Sequence, residues 1–278
     1  MTFLKAFPRA LLAFVAIAMV QVVAGIIVPM NPMAIPHLAL WMLLNLSITV
    51  AALTPVAARA EWRGWRLGAA VSAIPLAIFS INLIEALVFL PNTNLEWGRI
   101  FLYTLVSAVL SVPVWAFLFG QRKDTSGDHY RPIRSQSTSE LGWKFVLCDL
   151  LYVFLYFAVG AIIFPYVKDF YATQRLPSPG AITALQFFVR APMFILLALA
   201  LTRMLGLTRL SGALVVGLVF TLLTGAAPLL IPNSVFPDSV RWAHFAEVTS
   251  EMFIFGAVVA WLWGPAKPAR SPALQQAA

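Results

Sequence analysis

His244, Glu247 and Glu251 stand at i, i+3 and i+7 just ahead of an apolar run, Met252–Gly264. On a helix this spacing puts one imidazole and two carboxylates on the same face. Such a set can bind a cation, exchange protons or pair with a buried base. The apolar run is 13 residues long, and at ~1.5 Å per residue it covers about two-thirds of a ~30 Å hydrocarbon core. A helix that spans must therefore reach back through Glu251 and Glu247. An acid at that depth costs several kcal/mol unless it faces protein, water or a partner.

The same length argument embeds a base. Only Ala191–Thr202 separate Arg190 from Arg203, so Arg190 lies ~13 Å below the far end of its helix, with Gln186 one turn above. Glu85 falls one to two turns inside a third apolar segment, Asn82 sits a turn deeper on nearly the same face, and Asn45 reaches a similar depth in another. These residues and the His244 face all belong to one half of the bilayer, and they form the candidate solute- or ion-binding set. The planar guanidinium of Arg190 can hold two carboxylates at once, which makes it the expected hub. Glu247 or Glu251 is the expected partner, with Glu85 as second choice. The set can be an ion-pair network that locks three helices together, or the lining of a cavity open to one side. Alternatively, its members can reach separately toward the headgroups. Asp149 belongs to the opposite half, and with Lys144 near it is expected to snorkel.

Several chemistries fail on residue type. The three histidines, His37, His129 and His244, do not supply deep facing ligands for a haem. H-E-x-x-H, Walker A, G-x-G-x-x-G and G-x-S-x-G do not occur, and neither does the paired Glu-Glu of CAAX-type intramembrane proteases. Ser250 points away from the His244 face at about a hundred degrees per residue, so no catalytic residue is assigned. His244, Glu247, Glu251 and Glu85 would suit Zn²⁺, Mn²⁺ or Fe²⁺. Arg190 competes for the same carboxylates, so neither a metal nor a cofactor is assigned. The single cysteine, Cys148, rules out an intrachain disulfide and is expected to pack as an apolar side chain.

The elements that position these residues follow from composition. Of 278 residues, 61% are hydrophobic and 11% charged, against about 25% charged in soluble domains. The apolar runs are continuous, without the alternation of a membrane barrel. The expectation is an all-α polytopic membrane protein of eight helices, near 10–30, 37–58, 67–90, 99–120, 143–165, 181–203, 209–231 and 241–264. The first run is too long for a signal peptide and is read as a span. If the N-terminus is cytoplasmic, fourteen of the 19 lysines and arginines fall on the cytoplasmic side, as the positive-inside rule demands. That split explains the net charge of +8 without nucleic acid, and it puts both termini inside and the polar set in the outer half of the inner membrane. Trp62, Trp65, Trp97, Trp143, Tyr166, Tyr171, Trp242, Trp261 and Trp263 read as interfacial belt anchors.

The longest polar stretch, Gln121–Leu141, reads as a linker between two halves, 1–120 and 141–264. A regulatory or lipid-headgroup role is the alternative. Three fragments repeat in order. Val23–Pro29 resembles Val159–Pro165 at an offset of 136, Arg66–Ala69 resembles Arg209–Gly212 at 143, and Phe89–Thr93 resembles Leu230–Ser234 at 141. They suggest a 4+4 duplication whose halves run parallel. Three functions fit: a transporter or carrier of a small or anionic solute, an accessory or assembly subunit with structural ion pairs, or an intramembrane enzyme acting on a lipid-like substrate. The partners implied are membrane lipids and, for the second reading, another membrane protein.

Overall fold

The computed structural model describes residues 3–29, 37–90, 96–121, 137–174, 176–232 and 235–264. Most of the linker, Arg175, Lys267, Arg270 and the Pro91–Thr93 and Asn233–Ser234 ends of the third repeat lie outside them. Among the described residues eight helices are long and apolar enough to cross a membrane. They are α1 Phe3–Ile27, α2 Leu38–Arg59, α3 Gly64–Phe89, α4 Trp97–Phe119, α5 Thr138–Ala172, α6 Pro179–Leu205, α7 Arg209–Leu229 and α8 Asp238–Trp263. The all-helical, multi-pass reading holds.

Local signals account for where the helices start and stop. α5 begins five residues before its expected start, because Ser137 accepts from the amide of Glu140 at 3.1 Å in an S-x-x-E box. Glu140 then pairs with Lys144 one turn on, at 2.7 Å. α5 also runs seven residues past Pro165, to Ala172. A proline removes one ladder bond but does not end a helix whose neighbours hold it. α6 starts on the Ser178 hydroxyl with Pro179 in its first turn, and it stops at Gly206, whose φ of 56° only glycine adopts cheaply.

Two helices widen into a π turn, each just before a proline. The amide of Ala191 bonds five residues back to Gln186 O, ahead of Pro192. The amide of Ala227 bonds back to Leu222 O, ahead of Pro228. Proline cannot donate to the turn before it, and the wider turn absorbs the missing bond.

Small residues let the helices approach closely. α3 packs along α4, and α7 along α8. At Gly68 an added Cβ would run into the Val112 carbonyl and the Ala116 side chain. At Gly217 and Gly256 it would meet Phe253, Val216 and Phe220 of the facing helix. α1 lies on α2 and α4, and α5 lies on α6 and α8. The two groups meet where α2 touches α7 and α3 touches α6 and α7. At one face of the bundle, Arg241 of α8 buries its guanidinium against the last carbonyls of α7. It donates to Leu229 O and Leu230 O at 3.0 and 3.1 Å, and its charge is balanced by Asp238 at 2.8 Å. At the other face, Arg209 donates to Gly264 O at 2.9 Å and the Glu61 amide to Met204 O at 2.9 Å. Both ends of the α7–α8 pair are thereby fixed.

Gly68→Ala should separate α3 from α4 and destabilise the protein by about 1–3 kcal/mol. Gly98→Ala, where the added methyl meets open space, should not. Thermal unfolding of the two variants in the same detergent checks this, and equal midpoints would refute the close α3–α4 seam.

Candidate functional site

Four side chains from α3 and α6 close into one network. The π turn of α6 holds both Gln186 and Arg190. Arg190 Nη1 is 2.7 Å from Glu85 Oε1 and donates to Gln186 Oε1 at 2.9 Å. Its Nη2 donates to Asn82 Oδ1 at 3.3 Å. Gln186 Nε2 donates in turn to Glu85 Oε1 at 3.1 Å. Gln186 is fully buried and Arg190 is 4% exposed, while Glu85 keeps a quarter of its side chain accessible. In lipid a guanidinium so enclosed persists only with a counter-charge and its donors used. Here Nη1 and Nη2 are used, and Nε has no hydrogen-bond partner among the described residues. The rings of Phe194 and Tyr152 lie 5.7 and 5.9 Å from the guanidinium carbon, within cation–π range.

The α8 residues form a second group. His244 Nδ1 is 2.6 Å from Glu247 Oε2, and His244 Nε2 is 2.9 Å from the Tyr171 hydroxyl of α5. The other Glu247 oxygen lies against Gly160 of α5, where a Cβ would stand only 3.3 Å away. Glu251, one turn further in, is 4% exposed, and no hydrogen bond or ion pair joins it to a described residue. It lies within electrostatic reach of Arg190, Glu247 and Glu85. Between the two groups stand Tyr152 and Tyr156 of α5, both within reach of Glu85 and Arg190.

The embedded set therefore gathers, with three corrections. Arg190 pairs with Glu85, the second-choice partner, and not with the first-choice Glu247 or Glu251. α3 faces the π turn of α6 and offers Asn82 together with Glu85, whereas Glu247 is already taken by His244 on its own helix. Asn45 stands apart: its amide donates to Ala227 O at the end of α7, at 2.7 Å. Asp149 does not share Lys144, which is held by Glu140. It is 5% exposed, and its Oδ1 has no hydrogen-bond partner among the described residues.

Tyr152, Tyr156 and the Tyr171–His244 bond escaped the sequence reading. The spacing of Tyr152, Tyr156 and Gly160 on one face of α5 was the available signal. Tyr171 was masked by the general preference of tyrosine for interfaces. The Ser250 hydroxyl donates back to Ala246 O and Glu247 O at 2.7 and 2.9 Å, so it turns away from the acids. Among the described residues no three His, Cys, Asp or Glu side chains converge as a metal set. The arrangement can hold an anion at a guanidinium whose carboxylate has been neutralised. It can also pass protons along Tyr171, His244 and Glu247.

Glu85→Gln strips Arg190 of its counter-charge and should cost about 3–5 kcal/mol. The double variant Glu85→Leu/Arg190→Met should recover most of that loss. A swap of Glu85 and Arg190 should restore more stability than a swap of Glu251 and Arg190. Chemical unfolding in detergent measures all four, and rescue by the Glu251 swap alone would refute the pairing.

In comparisons with known proteins, the chain matches no family model, no curated protein and no solved structure, so the chemistry of the site alone bears on function.

Proposed function

We propose that the protein is a proton-coupled carrier of a small anionic solute, built from two parallel halves that meet at the Glu85–Arg190 pair. The repetition of packing supports the two halves. In one half α1 lies on α2 and α4, and α3 on α4. In the other α5 lies on α6 and α8, and α7 on α8. Gly64, the first residue of α3, and Gly206, 142 positions later and just ahead of α7, both take a positive φ. Gly120 and Gly264, 144 apart, follow α4 and α8, with their amides on Ala116 O and Ala260 O. The polar contacts between the halves also match. Asn45 lies 141 positions before Gln186, and its acceptor Ala227 lies 142 after Glu85. Halves related by an axis along the membrane normal would produce this pattern.

The observation that carries the function is the Arg190–Glu85 pair with Glu251 beside it. The pair bridges the halves, and Glu251 is a buried acid without a bond to any described residue. A purely structural lock gains nothing from such an acid, because an unpaired buried carboxyl destabilises the fold. A carrier uses it. Protonation of Glu85 or Glu251 reduces the negative charge around Arg190. The guanidinium then takes a carboxylate or phosphate of the solute in its bidentate geometry, and loss of the proton restores the competing carboxylate and expels the solute. The excess of lysine and arginine at the opposite face supports a cytoplasmic position for both termini and an outward, periplasmic position for the site in the inner membrane. The assembly-subunit reading predicts instead that Arg190 never exchanges partners. An enzyme acting on lipid would need a nucleophile that Ser250 does not supply.

A thermal-shift screen of the purified full-length protein against acetate, phosphate and small sulfonates tests the proposal. At least one anion should raise the midpoint, and Arg190→Gln should abolish the shift. Glu85→Gln should tighten binding of that anion about tenfold, because the competing carboxylate is gone. If no anion stabilises the wild type, or if Glu85→Gln weakens binding, the carrier reading fails.

A further inference from the structure

On the basic face the seam between α7 and α8 ends in an arginine with most of its donors unused. Arg209 opens α7, and its stem lies over Gly264, where an added Cβ would stand 3.1 and 3.4 Å from Arg209 Cα and Cγ. Its Nε donates to Gly264 O at 2.9 Å, and its guanidinium carbon sits 5.5 Å from the centre of the Trp261 ring. These contacts hold the planar group in place and use one of its five donors. Nη1 and Nη2 carry no hydrogen bond or ion pair to a described residue.

Beside that guanidinium an apolar groove opens along the seam. Ala213 of α7 and Ala257, Val258 and Trp261 of α8 line it, with a volume of about 230 Å³. Arg209 and Ala213 are one turn apart on α7, as are Trp261 and Ala257 on α8, so the groove runs a turn inward from the guanidinium. It closes where Gly217 lets α7 meet Phe253 and Ala257. The outer wall, Trp261, is half exposed. At the corresponding positions of α3 and α4 an aromatic pair stands instead. Trp65, 143 positions before Thr208, packs its ring 5.7 Å from Phe117, 144 before Trp261, and Arg66 stacks on Trp62 at 4.1 Å. Thr208 is too small to cover Trp261 in that way.

A fixed cation at the tryptophan belt, beside a narrow apolar groove, matches a molecule with a phosphate at one end and a hydrocarbon chain at the other. Charge decides the class of that molecule. Arg59, Arg66 and Arg203 stand exposed on the same face, so a headgroup of net negative charge is drawn there and a quaternary ammonium is repelled. The first turn of α7 acts in the same sense, since Thr208 gives its hydroxyl to Ser211 and caps no amide. We propose that Arg209, Trp261 and the groove between Ala213, Ala257 and Val258 bind one anionic phospholipid. Its phosphate takes two parallel N–H bonds from Nη1 and Nη2 of Arg209, and an acyl chain lies in the groove. The bound lipid ties the start of α7 to the end of α8. The site lies on the opposite face from the Arg190 cluster and does not depend on what that cluster carries.

The test titrates the purified full-length protein in detergent with dioleoyl phosphatidylglycerol and, separately, dioleoyl phosphatidylcholine, and counts retained lipid by native mass spectrometry. A single phosphatidylglycerol should bind about tenfold more tightly than phosphatidylcholine, and Arg209→Gln should abolish that preference. Val258→Phe, which fills the groove and leaves Arg209 on Gly264, should weaken phosphatidylglycerol about fivefold. Arg66→Gln should stay within about twofold of the wild type, because a merely exposed charge adds little. A phosphatidylglycerol with a diazirine in its chain should label the peptide around Ala257 and Val258, and excess inorganic phosphate should not displace it. Equal retention of the two lipids, equal losses in Arg66→Gln and Arg209→Gln, or displacement by inorganic phosphate overturns the site. If Arg209→Gln does not fold, the groove decides: unchanged affinity in Val258→Phe, or labelling confined to other helices, ends the proposal.

Discussion

A guanidinium held in the low-dielectric half of a membrane cannot go without partners, and much of this architecture serves Arg190. Its charge requires a carboxylate at close range, and Glu85 stands 2.7 Å away. Gln186 and Asn82 supply further oxygens, to Nη1 and Nη2. Each of these three must in turn be held, and the means are helix-level. The π turn of α6 carries Gln186 and Arg190 together, and the packing of α3 on α6 brings up Glu85 and Asn82. Removing any one partner leaves desolvated polar atoms behind, which is why such a network behaves as a unit.

The neighbouring group on α8 is organised differently. Glu247 is satisfied from its own helix by His244, which is satisfied from α5 by Tyr171. Gly160 is small enough for the carboxylate to lie against the α5 backbone. Glu251 is left between the two groups with neither bond nor water-facing surface of any size. Glu85 is thus paired through one oxygen, Oε1, with Arg190 and Gln186, whereas Glu251 has no bond to a described residue.

Prolines give this chain its local irregularity, and they were the hardest residues to read. Proline at a junction and proline inside a span look alike in sequence. Pro165 stands where a span was expected to end, yet α5 continues for seven residues. Pro192 and Pro228 stand inside spans, and each is preceded by a π turn. The π turn of α6 matters for the site, since it sets the facing of Arg190. Helical-wheel reasoning with a uniform 3.6 residues per turn carries no information about that local widening.

What the residues determined by themselves were the quantities that lipid dictates. Continuous apolar runs with few charges can be satisfied only as spanning helices, so eight helices and an all-α class were legible. The short apolar run after Glu251 and the short one after Arg190 forced both charges into the membrane by length alone. Which charges meet was decided by tertiary structure, because depth is encoded along a helix while azimuth is set by packing against neighbours. Hence Arg190 found Glu85 on α3 instead of an acid on α8, Asn45 went to a carbonyl of α7, and Tyr152 and Tyr156 entered the centre of the bundle. The Ser137–Glu140 capping box was readable in sequence and explains the early start of α5. The bonding of Tyr171 to His244 and the enclosure of Asp149 were not readable, since each depends on contacts between residues distant in sequence.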